Sequence, residues 1–342
     1  MQEDILKEYG FKKGTFSVAK FGTGLINHTW KVHCQGSDYI LQKINQQVFK
    51  NPFNIANNIE LLAAFLKKYQ PGYFFVAPVK TTDGKEMVHL NGNEYFRMFP
   101  FVPGSHSKEV VEKPSEAFEA ASQFGKFTKL LDGFPLHELR KTIPDFHNLS
   151  LRYQQFLTAL KEGNPQRIKE TASLAKELLA NAEIVMQYER IIEDEHFKLR
   201  VTHHDTKISN VLFDEHGKGL CVIDLDTVMP GYFISDVGDI MRTYLSPVSE
   251  DEKDFNKIEI RDEFYKAIVN GYYQEMKEVL TDAEKHTFFY AATFMIYMQA
   301  IRFLADYYND DIYYGSKYPG ENLVRAGNQA ILLQRLLEKK EI

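Results

Sequence analysis

The segment VTHHDTKISNVLFDEHGKGLCVIDLDTV, residues 201–228, decides how the rest of this 342-residue sequence is interpreted. Its apolar runs VLF and CVI predict two buried strands, with a turn at DEHGKG between them. His203, Asp205 and Asn210 precede the first strand, and Asp224 follows the second. Polar groups beside buried strands are costly unless they are paired or functional. The segment therefore predicts a functional site.

The spacing of these polar residues is typical of phosphoryl transfer. That reaction needs a carboxylate at the acceptor hydroxyl, an amide oxygen that reaches Mg²⁺, and a second carboxylate on the next strand that binds the same ion. Asp205, Asn210 and Asp224 supply these groups in chain order. An isolated aspartate in a turn is often only a turn-forming residue, but the three together favour a catalytic loop.

Other polar residues near this loop favour structural roles. We interpret His203 as a buried histidine that braces the loop, and we expect His204 to face solvent or substrate. Asp236, Asp239 and Arg242 are expected to form a capping and ion-pair cluster at the start of a helix.

Composition favours a soluble, small-molecule-binding protein. The sequence is 44% hydrophobic, carries a net charge of -6 and has no basic block that would suit nucleic acid. Cys34 and Cys221 cannot build a disulfide framework or a four-ligand zinc site, which suits the cytoplasm. The N-terminus lacks the pattern of a signal peptide, and Gln299 and Arg302 interrupt the longest apolar run, which predicts a buried helix and no membrane span. The sequence leaves the oligomeric state open.

The pattern along the chain predicts an α+β fold with two lobes. Residues 1–99 contain strand patterns around one helix, with Asp83-Gly84 as a hairpin turn, and form the predicted N-terminal nucleotide-binding lobe. Prolines and a glycine mark a hinge at residues 100–104. Residues 105–342 are mostly helical and form the predicted catalytic and substrate-binding lobe.

A glycine-bearing turn lies upstream, in FGTGLINHTW. Gly22 and Gly24 let the backbone approach phosphates closely, and Asn27 to Thr29 offer hydrogen-bond donors. Glycines in a hairpin are more often turn residues alone, so this motif gains weight only from the downstream loop.

The sequence resembles the aminoglycoside phosphotransferase and choline kinase superfamily. The resemblance runs along the whole chain and is carried by GTGLINHTW, YILQKIN, FGKFTKLLDGF, KTIPDFHNLSLRY, HHDTKISNVLFD and VIDLDTVMPG. It implies a fold similar to protein kinases, with a small β-rich lobe and a larger helical lobe. Within the superfamily, the closest resemblance is to kinases that use ATP and Mg²⁺ to phosphorylate the anomeric hydroxyl of N-acetylhexosamines.

The resemblance also implies roles for individual residues. Asp205 would be the catalytic base, Asn210 and Asp224 would bind Mg²⁺, and Asp226 would be a second metal contact. Lys207 would neutralise the transferred phosphoryl group. The implied nucleotide-binding residues are Gly22, Gly24, Asn27, Thr29, Lys43, Met98, Phe99 and Phe101. The implied substrate-binding residues are Asp205, Lys207, Arg302, Tyr313 and Tyr314.

One position departs from the kinase pattern. The strand-three lysine that binds the α- and β-phosphates should align with Gln42 of YILQKIN, and on a regular strand Lys43 points to the opposite face. Either a bulge turns Lys43 inward or another group binds the phosphates. The choice of Glu60 as the acidic partner on the following helix is open for the same reason.

The residues leave three functions open. The first is the hexosamine kinase, and the second is a kinase for choline, homoserine, methylthioribose or an aminoglycoside. The third, suggested by Gln42, is a nucleotide-binding protein without catalysis. A protein kinase is disfavoured because IDLD stands where Asp-Phe-Gly would be and no Ala-Pro-Glu segment follows.

Overall fold

The computed structural model describes residues 2–22, 27–90 and 94–339. It contains a small antiparallel sheet and a larger helical part, which confirms the α+β class. The chain forms two compact units. The first unit comprises Met1–His106, Gly133–Pro144 and Leu212–Pro230, and the second comprises Ser107–Asp132, Asp145–Val211 and Gly231–Ile342.

The first unit is built on an antiparallel sheet with strand order β1-β2-β3-β5-β4. The strands are β1 (Phe16–Lys20), β2 (His28–Cys34), β3 (Ser37–Lys43), β4 (Val88–Leu90) and β5 (Glu94–Pro100). Gln35 and Gly36 join β2 to β3 with φ angles of 51° and 79°. Positive φ at both central residues matches the right-handed twist of a hairpin, so this two-residue turn fixes the register of the central strands.

Two helices complete the core of this unit. Helix α1 (Gln2–Glu8), which the sequence pattern did not predict, buries Ile5 and Leu6 against Val32 and Phe96 of the sheet. Helix α2 (Pro52–Tyr69) follows β3 and is capped by the side chain of Asn51, which accepts the Phe53 N–H. The predicted strand–strand–helix–strand–strand order is thus present within a slightly larger unit.

The turn at Asp83-Gly84 differs from its prediction. Gly84 has a φ of +84° and the turn closes through a hydrogen bond from Thr81 N–H to the Lys85 carbonyl. The flanking residues are not paired strands, since β4 begins only at Val88. The Thr81 hydroxyl also accepts the Lys85 N–H at 2.9 Å. Local bonds therefore satisfy the backbone where a strand ladder was expected.

The second unit is mostly helical. Its helices are α3 (Pro114–Leu130), α4 (Leu149–Glu162), α5 (Pro165–Glu170), α6 (Ala172–Ala180), α7 (Glu183–Glu193), α8 (Phe233–Tyr244), α9 (Asp262–Met276), α10 (Asp282–Lys285), α11 (Phe288–Tyr308) and α12 (Glu321–Leu337). It also contains the short strand β6 (Arg200–Thr202).

Helix α11 forms the centre of this unit. It is long and apolar enough to cross a membrane by composition alone, yet every residue except Phe289 is buried by the surrounding protein. The prediction of a buried helix is confirmed. Helix α8 packs closely on it at Gly238, where any Cβ would overlap the Ala291 carbonyl oxygen and the Met295 side chain. Glycine therefore sets the distance between α8 and α11.

The polar segment 201–228 does form short strands, as predicted. Strands β7 (Val211–Phe213) and β8 (Gly219–Val222) pair as a hairpin, and β9 (Met229–Gly231) follows. Although the segment lies within the helical half of the sequence, Leu212–Pro230 belongs to the first unit. Cys34 and Cys221 are both buried and unbridged.

Candidate active site

The loop after β6 brings three of the predicted catalytic residues together. Lys207 Nζ lies 3.2 Å from Asp205 Oδ1. Asn210 Nδ2 donates to the backbone carbonyl of Asp205 at 2.8 Å and to its carboxylate at 3.2 Å. A carboxylate, a lysine and an amide therefore meet within a few residues, in the second unit.

Helix α8 holds this loop through its backbone. The Asp236 carboxylate accepts the His203 N–H at 3.0 Å and the His204 N–H at 2.7 Å. Asp239 accepts the Thr206 N–H at 2.8 Å and pairs with Arg242 at 2.9 Å. These residues do form the predicted structural cluster. They cap the catalytic loop, however, and not the helix start, where Tyr232 makes no side-chain cap.

The two histidines differ in their surroundings. His203 is fully buried, contacts the rings of Phe124 and Phe127 edge-on, and accepts the Asp205 N–H at 3.4 Å. This geometry is that of the predicted brace. His204 is only 5% exposed, so of its two predicted surroundings solvent is wrong, and a position beside the substrate stays a prediction. Its φ of +66° turns the side chain into the protein, where Nδ1 donates to the Thr202 carbonyl at 3.1 Å.

The charges around the loop set its protonation. Burial opposes ionisation of Asp205, but Lys207 and His203, together with the Asn210 amide, outweigh burial and lower the pKa of Asp205. Asp205 is therefore a carboxylate at neutral pH. Burial raises the pKa of Asp236 to about 7, although two backbone N–H groups oppose the shift.

The predicted metal ligands fit Mg²⁺ by donor type. Mg²⁺ prefers hard oxygen ligands, which an amide and a carboxylate provide. Both hydrogen bonds of the Asn210 amide use Nδ2, so Oδ1 is the atom suited to a cation. Asp224, in the first unit, has a φ of +59°. A residue other than glycine rarely adopts this left-handed conformation unless the surrounding structure maintains it.

Asp226 lies in a buried polar cluster of the first unit. It forms an ion pair with Arg97 of β5, and the two side chains are 4% and 2% exposed. Asn27 Nδ2 donates to Asp226 Oδ2 at 2.8 Å. Arg97 donates from Nε and Nη2 to Gln42 Oε1 at 3.1 and 2.9 Å. Asp226 thus has a protein partner on each carboxylate oxygen.

Strand β3 keeps a regular register through the position of the expected lysine. Gln42 pairs with Arg97 and Lys43 with Phe96, so no bulge turns Lys43 toward the face of Gln42. Lys43 forms an ion pair with Glu94. The predicted phosphate contact of Lys43 stays a prediction and gains no support from this position.

Helix α2 offers a buried asparagine where an acid was sought. Glu60 pairs with Lys80, and both side chains are about half exposed. Asn58 is fully buried, donates to the carbonyls of Arg140 and Val228 at 2.8 and 2.9 Å, and accepts the Arg140 N–H. Glu60 is thus a surface residue, whereas Asn58 connects α2 to the end of the polar segment.

The structure brings only some of the remaining predicted nucleotide-binding residues together. Gly24 lies outside the described residues. The Phe21 and Phe101 rings meet at 6.1 Å, next to Gly22, with Lys31 over the Phe101 ring at 4.0 Å. The Arg97 guanidinium lies 5.0 Å from the Phe99 ring.

Met98 and Thr29 both make contacts within the first unit, and their predicted adenine and phosphate contacts stay predictions. Met98 is fully buried, and its carbonyl accepts the Val79 N–H at 2.6 Å. Thr29 pairs with Gln42 across β2 and β3, and its hydroxyl accepts from the Gln42 amide at 3.5 Å.

The predicted substrate residues on and after α11 do meet. The Arg302 guanidinium lies 5.8 Å from the Tyr313 ring and 5.4 Å from the Tyr314 ring. Arg302 is 7% exposed, and it makes long hydrogen bonds of 3.4 Å to the Gln299 amide oxygen and 3.5 Å to the Tyr313 hydroxyl. Asp306 holds this segment, since its carboxylate oxygens accept the N–H groups of Tyr313 and Tyr314 at 2.7 and 2.9 Å.

A cation-rich cluster connects Arg302 to the catalytic loop. The Phe146 ring lies 5.7 Å from the Arg302 guanidinium and stacks on His147 at 4.4 Å, and His147 lies 5.3 Å from His204. Burial, followed by the charges of His204, Arg302, Arg242 and Arg152, holds the pKa of His147 well below its ordinary value. His147 Nδ1 is buried without a hydrogen-bond partner among the described residues.

Arg97, Asn58 and Asp306 are the site residues that sequence reasoning missed. Arg97 carried a usable signal, because a charged residue inside the apolar strand YFRMF requires a buried partner. Asn58 carried a weaker one, since it interrupts the apolar face formed by Ile55, Ile59 and Leu62. Asp306 gave none, because its partners lie beyond the end of its helix.

Comparison with known proteins gives a family and a fold. A family model described as the phosphotransferase enzyme family matches residues 17–279. An aminoglycoside phosphotransferase from Alicyclobacillus acidocaldarius is similar with a TM-score of 0.65 and 13% identity, over 99% of this chain and 96% of that chain. A microcompartment-associated aminopropanol kinase has a TM-score of 0.68 and 16% identity, over 99% and 96% of the two chains.

A third structure, spectinomycin phosphotransferase solved with ADP and spectinomycin, has a TM-score of 0.64 and 13% identity. The match covers 100% of this chain and 98% of that chain. At these identities the likeness concerns the fold, and it agrees with the kinase-like fold expected from the sequence.

Proposed function

Since the chain belongs to the phosphotransferase enzyme family, we propose that it is an ATP- and Mg²⁺-dependent N-acetylhexosamine 1-kinase. It would transfer the γ-phosphoryl group of ATP to the anomeric hydroxyl of N-acetylglucosamine or N-acetylgalactosamine. The observation that carries the proposal is the grouping of Asp205, Lys207 and Asn210 on a loop whose backbone is held by Asp236 and Asp239.

Asp205 is suited to act as the base. Its lowered pKa keeps it ionised, so it can accept the proton of the sugar hydroxyl while the oxygen–phosphorus bond forms and the bond from the γ-phosphorus to the bridging oxygen of ADP breaks. An anomeric hydroxyl is more acidic than an ordinary alcohol, so a weakly basic carboxylate suffices if it positions the hydroxyl in line. ADP leaves with the bridging oxygen.

Lys207 is suited to stabilise the transferred group. Its ammonium lies beside the Asp205 carboxylate, and that carboxylate raises the pKa of Lys207, so the lysine is fully charged. A fixed positive charge at this point stabilises the charge of the phosphoryl oxygens in the transition state. Bound Mg²⁺, held through oxygens of Asn210 and Asp224, would neutralise further phosphate charge.

The cluster around Arg302 supports a neutral, oxygen-rich acceptor. Arg302 and Arg152 offer donors and positive charge and neutral His147 offers one ring N–H, whereas a choline or aminoglycoside acceptor would require carboxylates. Tyr313 and Tyr314 offer aromatic faces of the kind on which sugar rings stack. An N-acetyl carbonyl or a ring hydroxyl would accept from Arg302 or from a His147 ring nitrogen.

The test is an acceptor panel with ATP consumption as the readout and phosphorus NMR of the product. We expect turnover of at least one N-acetylhexosamine, with a phosphorus signal coupled to the anomeric proton. Strong turnover of choline, homoserine, methylthioribose or an aminoglycoside, with none on the two hexosamines, would reject the sugar assignment. Nucleotide binding without transfer to any acceptor would instead favour the non-catalytic alternative suggested by Gln42.

A further inference from the structure

The ion pair between Arg97 and Asp226 is unusual because it is almost completely buried within the first unit. Removing two charges from water costs free energy that their attraction often fails to recover, so such a pair is weak support for stability alone. The presence of this ion pair is better explained by the segments that it joins.

The cluster joins four separate segments of the first unit. Gln42 comes from β3, Arg97 from β5, Asp226 from the turn after β8, and Asn27 from the end of the glycine-bearing segment. The Asn27 side chain uses both ends, donating to Asp226 at 2.8 Å and accepting the Asn45 N–H at 3.0 Å. Asn27 therefore connects the entry of β2 both to the exit of β3 and to the turn that carries Asp226.

Asp226 has little capacity left for a cation in this arrangement. Each of its oxygens already has a protein partner, and the side chain is only 4% exposed, so little of the carboxylate is open to a hydrated cation. Asp224, two residues earlier, has the left-handed backbone conformation with a φ of +59°, whereas Asp226 lies in the short 3-10 helix Leu225–Thr227.

We propose that Asp226 is a positioning residue for the nucleotide, which acts through Asn27 and Arg97 to hold the entry of β2 and the exit of β3 in place, and is not a metal ligand. This inference rests on the ATP-binding part of the proposed function and is independent of the acceptor. Holding these strand ends in position before the nucleotide arrives lowers the ordering cost of binding.

The experiment is calorimetric titration with ADP, once with Mg²⁺ and once with a chelator and no Mg²⁺. Asn27→Ala and Asp226→Asn should each weaken ADP binding about tenfold in both conditions, because a positioning contact acts on the nucleotide whether or not the metal is present. In each variant, the ratio of the ADP affinity with Mg²⁺ to that without Mg²⁺ should stay the same as in the unaltered chain. Asp224→Asn, at the predicted metal ligand, should instead bring the ADP affinities with and without Mg²⁺ close together.

Asn27→Ala keeps the inference falsifiable if Asp226→Asn does not fold, since it leaves the Arg97–Asp226 pair intact. Asp83→Asn is the matched control, because Asp83 pairs with Lys85 at an exposed turn of the same unit and should leave both affinities unchanged. In turnover assays, Asn27→Ala should raise KM for ATP and leave kcat within about twofold.

Three results would overturn the inference. Unchanged ADP affinity in Asn27→Ala would show that the contact does not position the nucleotide. Loss of only the Mg²⁺-dependent part of binding in Asp226→Asn would make Asp226 a metal ligand. Failure of the unaltered chain to bind ADP at all would reject the nucleotide part of the proposed function as well, whereas normal ADP binding without sugar turnover would reject only the acceptor.

Discussion

Two buried aspartate clusters, one in each unit, hold functional segments in different ways. In the second unit, Asp236 and Asp239 come from one helix and accept backbone N–H groups of the catalytic loop. In the first unit, Asp226 contacts side chains from separate segments, namely Arg97 and Asn27.

The two clusters differ in the groups that they require from the segments they hold. Backbone N–H groups are present in every residue except proline, so a loop held this way can change its side chains and keep its position. A cluster of side chains requires each partner, because removal of one leaves a buried charge or donor unpaired. The catalytic loop should therefore tolerate substitution as a structure, whereas the cluster around Asp226 should not.

The largest expected effect separates the chemistry of the loop from its anchoring. Asp205→Asn should lower kcat by about 10² to 10⁴, because the base is lost while the contacts from α8 remain. Calorimetric ADP affinity should change little. Asp214→Asn, at an exposed turn of the same segment, is the matched control and should keep normal turnover. Near-normal turnover in Asp205→Asn would remove Asp205 from the mechanism.

The second effect tests the anchoring itself. Asp239→Asn should reduce the free energy of unfolding by about 3 kcal/mol, because buried Arg242 loses a charged partner and the Thr206 N–H loses its acceptor. Denaturant unfolding measures this change. Asp262→Asn, which only breaks the exposed pair with Lys339, should stay within about 0.5 kcal/mol of the unaltered chain. Equal losses in the two variants would contradict an anchoring role for α8.

The third effect concerns pH. The pKa of His147 is lowered in the folded protein, so the unfolded chain binds more protons and stability falls as the pH drops below about 6.5. Between pH 7 and pH 5 this residue should cost up to about 2 kcal/mol of the free energy of unfolding. His147→Gln should show a smaller loss over the same range. An identical pH profile in both proteins would mean that His147 can be protonated in the folded state.

The smallest effect distinguishes the acceptors. Arg302→Met should raise KM for an N-acetylhexosamine about tenfold and leave ADP affinity unchanged, because Arg302 would donate to the sugar and not to the nucleotide. Arg190→Met, on the exposed surface of α7, is the control. If the true acceptor is cationic, removal of the arginine should lower KM for that acceptor, and this opposite sign would reject the sugar assignment.

The fold class and the catalytic loop could be predicted because their signals are local. Asp205, Lys207 and Asn210 lie within a few residues of one another, so their spacing nearly determines that they meet. The partners of the loop could not be predicted in the same way. Asp236 and Asp239 were recognised as structural, but only the packing of α8 shows that they bind a segment some 30 residues earlier.

Around Gln42, the sequence was informative about the strand itself but not about its neighbours in the sheet. The sequence identified the missing lysine, and the regular register of β3 follows from simple strand alternation. That Arg97 lies beside Gln42 depends on the pairing of β3 with β5, which are separated by a whole helix. Solvent exposure of His204 was wrongly expected for another reason, since its positive φ, which is uncommon outside glycine, reverses the direction that an extended loop would give its side chain.

The segment between α11 and α12 is fixed at its base and open at its tip. Asp306 and Asn322 bind the base through the Tyr313 and Tyr314 N–H groups and the Gly315 carbonyl, while Ile312 and Tyr313 are 82% and 64% exposed. Evolution, or a library in the laboratory, can therefore vary the tip residues at little cost in stability. New acceptor preferences in this scaffold should arise first by substitution there, with the phosphate-transfer loop left as it is.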